Sequence, residues 1–303
     1  MATVLITGGT GMIGKALTSL LVQKGHRVIV LTRKARPAAG LVEYETWDLK
    51  KQVFPTHILA GTDYIIHLAG ANVGQGRWTS KRKEVILRSR TDSAALLVKS
   101  LRETPNRVKA VISSSATGWY GPDHGRLFRE GDPPADDFLG NTCREWESSI
   151  TPVVQLGKRL VILRTGIVLA TEGGAFPAFR GPLKAGIGAI LGNGKQVISW
   201  IHLHDICRMY LHAIENPNMG GPYNAVSPEP VTNKALVLAL ARKLKGSFFI
   251  PVHVPAFVLK ILFGEMSVEV LKSCTVDAGS IRASGFQYTY PTLKAALGEL
   301  TKH

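Results

Sequence analysis

The sequence has few cysteines and no long apolar run, and both shortages narrow the classes of protein to consider. Its three cysteines, Cys143, Cys207 and Cys274, lie far apart and form no CxxC pair. This pattern argues against a disulfide framework or a zinc ribbon and suits a reducing compartment. The longest apolar stretch, VPAFVLKILFG, is interrupted by Lys260 and is too short to cross a bilayer. Because no signal segment precedes the strand-like ATVLITGG, we expect a cytoplasmic protein without a membrane contact.

Acidic residues are also scarce, above all at the start of the chain. The 303 residues include 37 Lys and Arg against 22 Asp and Glu, a formal net charge of +15. Residues 1–42 contain no Asp or Glu at all. The excess favours anionic partners. A nucleic-acid binder is one hypothesis, but no recognised nucleic-acid motif is present, so this hypothesis is the least favoured.

Apolar runs alternate with helical patterns over the first half of the chain. TVLIT, RVIVLT, DYIIHLAG, VKAVISSS and RLVILRTG are rich in Val, Ile and Leu, and helical segments separate them. Continuous apolar strands of this kind are typical of a parallel sheet that is covered on both faces. The sequence therefore predicts an α/β fold with a Rossmann-like, doubly wound parallel sheet. After Gly166, a Gly- and Pro-rich stretch indicates a smaller second lobe.

TGGTGMIG places three glycines at G-x-x-G-x-x-G spacing between the first strand and the first helix. Such glycines allow a tight turn and a close approach of the backbone to a pyrophosphate, which the helix N-terminus stabilises. Flanked by a buried strand and an amphipathic helix, the pattern predicts a dinucleotide site. The predicted contacts in this loop are Gly8, Thr10, Gly11, Met12, Ile13 and Gly14.

The end of the second strand, LTRK, indicates which dinucleotide is bound. A site for NAD would carry an Asp or Glu there, to accept hydrogen bonds from the ribose hydroxyls. Here the first acidic residue of the chain is Glu43. Arg33 and Lys34 instead supply positive charge suited to a 2′-phosphate. We predict NADP(H), held by Thr32, Arg33 and Lys34; the alternative is that Arg33 is merely exposed.

Several motifs together resemble those of the extended short-chain dehydrogenases/reductases, the group of nucleotide-sugar epimerases and dehydratases. They are TGGTGMIG, WDL, HLAG, SSSATGWYG, LRTGIVL and WIHLHD. CREWE, GPYNAVSP and SGFQYTYPTLKAALGEL narrow the resemblance to an atypical epimerase-like subfamily labelled cell-division-inhibitor-like, with its C-terminal domain. The resemblance implies further cofactor contacts at Asp48, Leu49, Leu68, Ala69, Gly70, Arg90, Gly166 and Val168. Two alternatives stay open: a turn role for Asp48, and a solvated helix face for Arg90.

The same resemblance implies a catalytic apparatus that this sequence carries only in part. In the family, a Ser or Thr after the fifth strand orients the substrate, and a Tyr with a Lys four residues later transfers the proton. Ser115 matches the serine by position, with Ser114 as the near alternative; it could also only close hydrogen bonds at the strand end. FLGNTCREWE supplies neither Tyr nor Lys. One register puts Phe138 and Thr142 at those positions, and the other puts Leu139 and Cys143 there.

Other residues are candidates for the missing chemistry and for the substrate pocket. Tyr120 could donate a proton to a reduced carbonyl, although its hydroxyl would be a poor base without a neighbouring lysine. Cys143 could be a nucleophile near a helix N-terminus, with buried packing as the alternative. The resemblance implies a substrate pocket with Gln196, Trp200 and His202. Strand alternation would put His202 and His204 on one face, but no third ligand accompanies them, so no metal site is predicted.

The sequence predicts two structural units, a dinucleotide-binding domain and a substrate-binding lobe. Residues 1–165 form an NADP-binding Rossmann domain, rejoined by about 203–227, and residues 166–202 and 228–303 form the substrate-binding lobe. The leading hypothesis is an NADP(H)-dependent oxidoreductase or epimerase-like enzyme that acts on an unidentified small molecule. The alternative is a non-catalytic NADP(H)-binding regulatory protein. A homodimer is also considered.

Overall fold

The computed structural model describes residues 1–302, and its strands form one large sheet and three small ones. The strands are β1 Thr3–Thr7, β2 Arg27–Thr32, β3 Val42–Thr46, β4 Tyr64–His67, β5 Ala110–Ala116, β6 Arg159–Thr165, β7 Ile167–Leu169, β8 Ile187–Leu191, β9 Val197–Ile198, β10 Trp200–His202, β11 Gly221–Ala225, β12 Val231–Thr232 and β13 Ile250–Val254.

The helices lie between these strands and after the last of them. They are α1 Met12–Gln23, α2 Ser80–Glu103, α3 Phe138–Ile150, α4 Phe176–Leu183, α5 Leu203–Glu215, α6 Asn233–Lys245, α7 Ala256–Phe263, α8 Ser267–Leu271, α9 Gly279–Ala283 and α10 Leu293–Leu300. Short 3-10 turns cover Thr56–Gly61, Thr117–Trp119, Thr151–Leu156 and Gly264–Met266. No helix within residues 1–302 has both the length and the apolar character needed to cross a bilayer.

The large sheet has seven strands in the order β11-β6-β5-β4-β1-β2-β3. Every neighbouring pair in it is parallel. Side chains of β1 alternate between the two faces, since Val4 and Ile6 pack with α1 and α5 whereas Leu5 packs against α2. Helices therefore cover both faces, which confirms the predicted α/β, Rossmann-like doubly wound sheet.

The second lobe has a core of its own. Trp200, Leu236, Leu240 and Leu297 pack together there and join β10, α6 and α10. The chain returns from this lobe to the large sheet at β11, which pairs with β6. That strand lies within the range 203–227 predicted to rejoin the first domain. The domain boundaries themselves stay a prediction.

Side-chain caps mark the beginning of most long helices. Asp137 accepts a hydrogen bond from the N–H of Gly140 at 2.7 Å, and Thr79, Thr232 and Thr292 cap α2, α6 and α10 in the same manner. Helix α1 differs, because its N-cap residue, Gly11, has no side chain that could cap it. Its first N–H groups are therefore available to another acceptor at the carboxyl edge of the sheet.

Two helical glycines give a matched test of this packing. A methyl group on Gly140 of α3 would overlap the backbone of Ala135, whereas one on Gly298 of α10 would meet nothing within 4 Å. Gly140→Ala should therefore lower the free energy of unfolding by about 1–3 kcal/mol through overpacking. Gly298→Ala should raise it by about 0.5–1 kcal/mol through helix propensity. Urea unfolding measures both, and an unchanged midpoint for Gly140→Ala would contradict the packing.

Candidate functional site

The glycine loop between β1 and α1 is packed too tightly for side chains at several of its positions. Gly8 has a φ of +69°, and a Cβ there would lie 2.7 Å from the carbonyl carbon of Leu68. A Cβ on Gly14 would lie 2.5 Å from the Cα of Gly9. Thr10 and Gly11 are exposed at the turn. A narrow turn beside an uncapped helix N-terminus fits a pyrophosphate group.

The residues that begin α1 are held by the second half of the chain. The sulfur of Met12 would lie 3.2 Å from a Cβ on Gly173, in the loop that follows β7. The carbonyl of Ile13 accepts a hydrogen bond from the Cys207 thiol at 3.8 Å. The loop is thus fixed from both lobes.

The end of β2 presents two basic side chains to solvent. Thr32 is buried, and its hydroxyl donates to the carbonyl of Lys34 at 2.6 Å, which turns the chain there. Arg33 and Lys34 are exposed. Neither has an ion pair with another residue in the described range 1–302. Their charges are therefore available to a ligand at this edge.

Two of the further predicted cofactor contacts, Asp48 and Leu49, lie after β3. One carboxylate oxygen of Asp48 accepts hydrogen bonds from the backbone N–H groups of Lys50 and Lys51, at 2.9 and 3.1 Å. Leu49 is half-buried against the core on the α2 face. Asp48 therefore fills the turn role that the sequence left as the alternative.

The loop after β4 is fixed by Thr7. The N–H groups of Leu68 and Ala69 both donate to its hydroxyl at 3.1 Å, and a His67 ring nitrogen lies 2.9 Å from it. Gly70, next in this loop, lies against the guanidinium of Arg90.

Arg90 itself is 8% exposed, so the alternative of a solvated helix face is wrong. The side chain points inward because α3 packs against α2 and covers this face of the helix.

The two contacts predicted after β6 are held by the backbone of β11 and of the second lobe. The N–H of Gly166 donates to the carbonyl of Ala225 at 3.1 Å, and a Cβ on Gly166 would lie 2.5 Å from the carbonyl oxygen of Ser199. Val168 is half-buried in β7, where it pairs with Ile201 of β10. Both residues lie near the carboxyl end of β6.

A buried polar network contains the residues predicted for catalysis. The hydroxyl of Ser115, 2% exposed, donates to Glu147 Oε1 at 2.6 Å. Arg164 donates from Nε and Nη2 to the two carboxylate oxygens of Glu147, each at 2.9 Å. The hydroxyl of Ser115 is therefore bonded to an internal carboxylate and does not face an open cleft.

Tyr120 belongs to the same network and has no exposed surface. Its hydroxyl donates to Asn224 Oδ1 at 2.6 Å and accepts from Arg164 Nη1 at 3.1 Å. Burial raises the pKa of Tyr120 to about 12. The expectation that Tyr120 donates a proton to substrate is therefore corrected: the phenol is enclosed and fully paired.

The geometry of α3 decides between the two registers of FLGNTCREWE. A Cβ on Gly118, beyond β5, would lie 3.1 Å from Leu139 Cβ and 3.7 Å from the sulfur of Cys143. Phe138 instead packs edge-on against Trp78, with ring centroids 5.0 Å apart. Leu139 and Cys143 are thus the pair that faces the serine strand.

Cys143 does not have the environment of a reactive thiol. It is 4% exposed, and burial raises its pKa to about 12. Since the thiolate is the nucleophile, the packing alternative is the one that this geometry supports.

The three predicted pocket residues lie inside the second lobe. Trp200 is fully buried and donates to the carbonyl of Glu229 at 2.8 Å, and Gln196 donates to that of Leu191 at 3.0 Å. His202 is 4% exposed, and its Nε2 lies 2.9 Å from a carboxylate oxygen of Glu299. The polar atoms of these three side chains have internal partners, and their contact with a substrate stays a prediction. Within residues 1–302, no group of three or more His, Cys, Asp or Glu could hold a metal ion.

The pair of Arg164 and Glu147 is the feature that sequence reasoning missed. Arg164 lies in the apolar strand segment RLVILRTG, where a charged side chain needs a buried partner. That local anomaly was the available signal. Glu147, 17 residues earlier, could not be identified as the partner from spacing alone.

Comparisons with known proteins give consistent matches over the chain. Residues 4–143 match the NAD dependent epimerase/dehydratase family, and residues 254–300 match a domain of unknown function, DUF1731. An epimerase family protein of Mycobacterium bovis is 34% identical over 301 residues, covering 99% of this chain and 98% of that protein. Epimerase family protein YfhF of Bacillus subtilis is 35% identical over 299 residues, with 98% and 97% covered.

Solved structures match as well. The human epimerase family protein SDR39U1 (isoform2), solved with NADPH, has a TM-score of 0.87 and 31% identity, with 99% of each chain covered. A nucleoside-diphosphate sugar epimerase from Corynebacterium glutamicum has a TM-score of 0.78 and 30% identity, covering 98% of this chain and 57% of that one.

The burial of His67, which lies beside Thr7, predicts that the stability of the protein depends on pH. Burial, with a smaller effect of the Arg90 charge, lowers the pKa of His67 from 6.5 to about 4. Because the unfolded chain takes up the proton first, stability is lost as the pH falls from about 6.5 to about 4, by about 3 kcal/mol from this group. His67→Asn should lack this loss, as urea unfolding of both proteins at pH 7 and pH 4 measures. Equal losses in both would contradict the assignment.

Proposed function

The chain belongs to the NAD dependent epimerase/dehydratase family, as its motifs indicated, and from this premise we propose that it binds NADP(H). The proposal concerns the phosphorylated dinucleotide in particular, because the family as a whole depends on nicotinamide dinucleotides without fixing which one. One observation carries it: exposed basic side chains stand at the end of β2 where an acid would select NAD.

The acidic residue nearest to Arg33 in the sequence, Glu43, is bonded to another side chain. Glu43 lies in β3 opposite Ile29, and its carboxylate accepts a hydrogen bond from Arg27 Nε at 2.8 Å, at the amino end of β2. β2 itself contains no acidic residue, and its carboxyl end leads directly into Arg33 and Lys34. A guanidinium donates two parallel hydrogen bonds to a phosphate, which suits the 2′-phosphate of NADP(H).

A human relative gives independent support. The human epimerase family protein to which this chain is 31% identical over nearly its full length was solved with NADPH. The same dinucleotide is therefore the natural first ligand to test.

A second part of the proposal concerns catalysis. The oxidoreductase or epimerase-like activity on a small molecule requires a proton donor or acceptor beside the cofactor. Ser115 and Tyr120 are enclosed in the network around Arg164, and Cys143 is a buried thiol. These contacts favour the alternative function, a non-catalytic NADP(H)-binding regulatory protein.

Replacing Arg33 tests the choice of dinucleotide. Arg33→Ala should weaken NADPH binding about tenfold or more, the usual loss for a hydrogen bond to a charged group, and leave NADH binding unchanged. Fluorescence titration with each nucleotide measures this. Lys24→Ala is the matched control, because exposed Lys24 follows α1 at the opposite edge of the sheet. Equal weakening of both nucleotides by Arg33→Ala would contradict the proposal.

Turnover with NADPH tests the catalytic part. Because no open side chain of the network is poised for proton transfer, the protein should bind NADPH without oxidising it in the presence of aldehydes, ketones or sugar nucleotides. The measurement is loss of reduced-nicotinamide absorbance. Turnover that Ser115→Ala or Tyr120→Phe abolishes would establish the enzyme instead.

A further inference from the structure

The guanidinium of Arg90 is a buried cation with unused hydrogen-bond donors. The residue is 8% exposed, and its Nη1 donates to the carbonyls of Ala71 and Ile86 at 3.1 and 2.8 Å. A guanidinium has five N–H donors. Those on Nε and Nη2 have no acceptor among residues 1–302. Neither atom is a fully enclosed unpaired donor. Both therefore keep some access to solvent, through which an acceptor can reach them.

A second unpaired donor lies beside it. The Arg90 guanidinium carbon lies over the Trp146 ring, 4.8 Å from its centroid. The indole Nε1 of Trp146 is buried and has no hydrogen-bond partner within the part of the chain that the structure describes. Two neighbouring side chains from α2 and α3 thus both leave donors free for an acceptor.

The position of Arg90 relative to the strands of the large sheet indicates which part of the cofactor it faces. Its guanidinium carbon lies 3.1 Å from the point where a Cβ on Gly70 would be, in the loop after β4. In the strand order, β1 separates β2 and β3 from β4 and β5. With the 2′-phosphate at the end of β2 and the pyrophosphate at the loop after β1, the nicotinamide half extends toward β4 and β5.

Arg90 also lies beside the position where the family's lysine is missing. Cys143 occupies that position on α3, and Trp146, which stacks on Arg90, lies one helical turn further along. The charge of Arg90 acts on the Cys143 thiol and lowers its pKa, against the larger opposite effect of burial. A guanidinium from α2 thus brings positive charge to a place where α3 provides none.

We propose that Arg90 binds oxygen acceptors in the nicotinamide half of NADP(H), and that its guanidinium replaces, from α2, the cation that position 143 of α3 no longer carries. The inference rests on the proposed binding of NADP(H). It assigns Arg90 a ligand-binding role and explains why the donors of Arg90 are free although the side chain is buried.

Two ligands, NADPH and adenosine 2′,5′-bisphosphate, distinguish contacts to the two halves of the cofactor. Arg90→Met keeps apolar packing on Trp146 and removes the charge. It should weaken NADPH binding about tenfold or more and leave the binding of adenosine 2′,5′-bisphosphate unchanged, since that probe lacks the nicotinamide half. Equal weakening of both ligands, or of neither, overturns the inference. If the wild-type protein binds neither ligand, the proposed function fails instead.

A relocated charge provides the sharper test. In Arg90→Met/Cys143→Lys, an ammonium group on α3 should restore most of the NADPH affinity that Arg90→Met loses, whereas Cys143→Lys alone should weaken binding by placing two cations together. The double variant should unfold at the same denaturant concentration as the wild type. If it does so and still binds NADPH as weakly as Arg90→Met, the proposal that Arg90 replaces the lysine is overturned.

Should Arg90→Met fail to fold, Arg90→Lys takes its place. It keeps the charge but loses the planar fork, so its NADPH affinity should fall below that of the wild type, with adenosine 2′,5′-bisphosphate again unaffected. Wild-type affinity for NADPH in this variant overturns the role of the free guanidinium donors.

Discussion

The buried ion pair between Arg164 and Glu147 is the interaction on which the functional interpretation depends. Its side chains are 3% and 10% exposed, so both charges have left water and require every available partner. Ser115 and Tyr120 provide two of those partners, and the carbonyl of Glu130 provides a third, 2.9 Å from Arg164 Nη1. The pair joins β6 to α3 and engages the hydroxyl of Ser115, which matches the family's serine by position, and that of Tyr120, the other candidate proton donor.

The proposed dinucleotide site does not depend on that network. It is built from the turn after β1, the open N-terminus of α1 and the end of β2, whereas the network lies among β5, β6 and α3. Both occupy the carboxyl edge of one parallel sheet, but they share no side chain. The absence of the tyrosine and lysine from α3 is therefore compatible with cofactor binding, and the cation that we propose as the replacement for the lysine comes from α2.

The parts that the sequence predicts correctly are local ones. Strand runs, helical periodicity and the glycine turn each depend on neighbouring residues, so the doubly wound sheet followed from pattern alone. The parts that the sequence does not reveal depend on distant contacts. The alternation of side chains in β10 predicts on which face of the strand His202 lies. It could not reveal that Glu299, 97 residues later, is the partner of His202. Likewise, Arg90 looks like a surface residue on α2 until Trp146 of α3 covers it.

The central claim is that this chain retains an NADP(H) site beside an enclosed, unavailable proton-transfer network. A crystal structure with bound NADPH tests it most directly, through the distances from the nucleotide to three side chains. The account predicts a 2′-phosphate within hydrogen-bond reach of Arg33, about 2.7–2.9 Å, an oxygen of the nicotinamide half at the same reach of Arg90, and Ser115 still bonded to Glu147. A 2′-phosphate away from Arg33, or a Ser115 hydroxyl turned toward the nicotinamide ring, would contradict it.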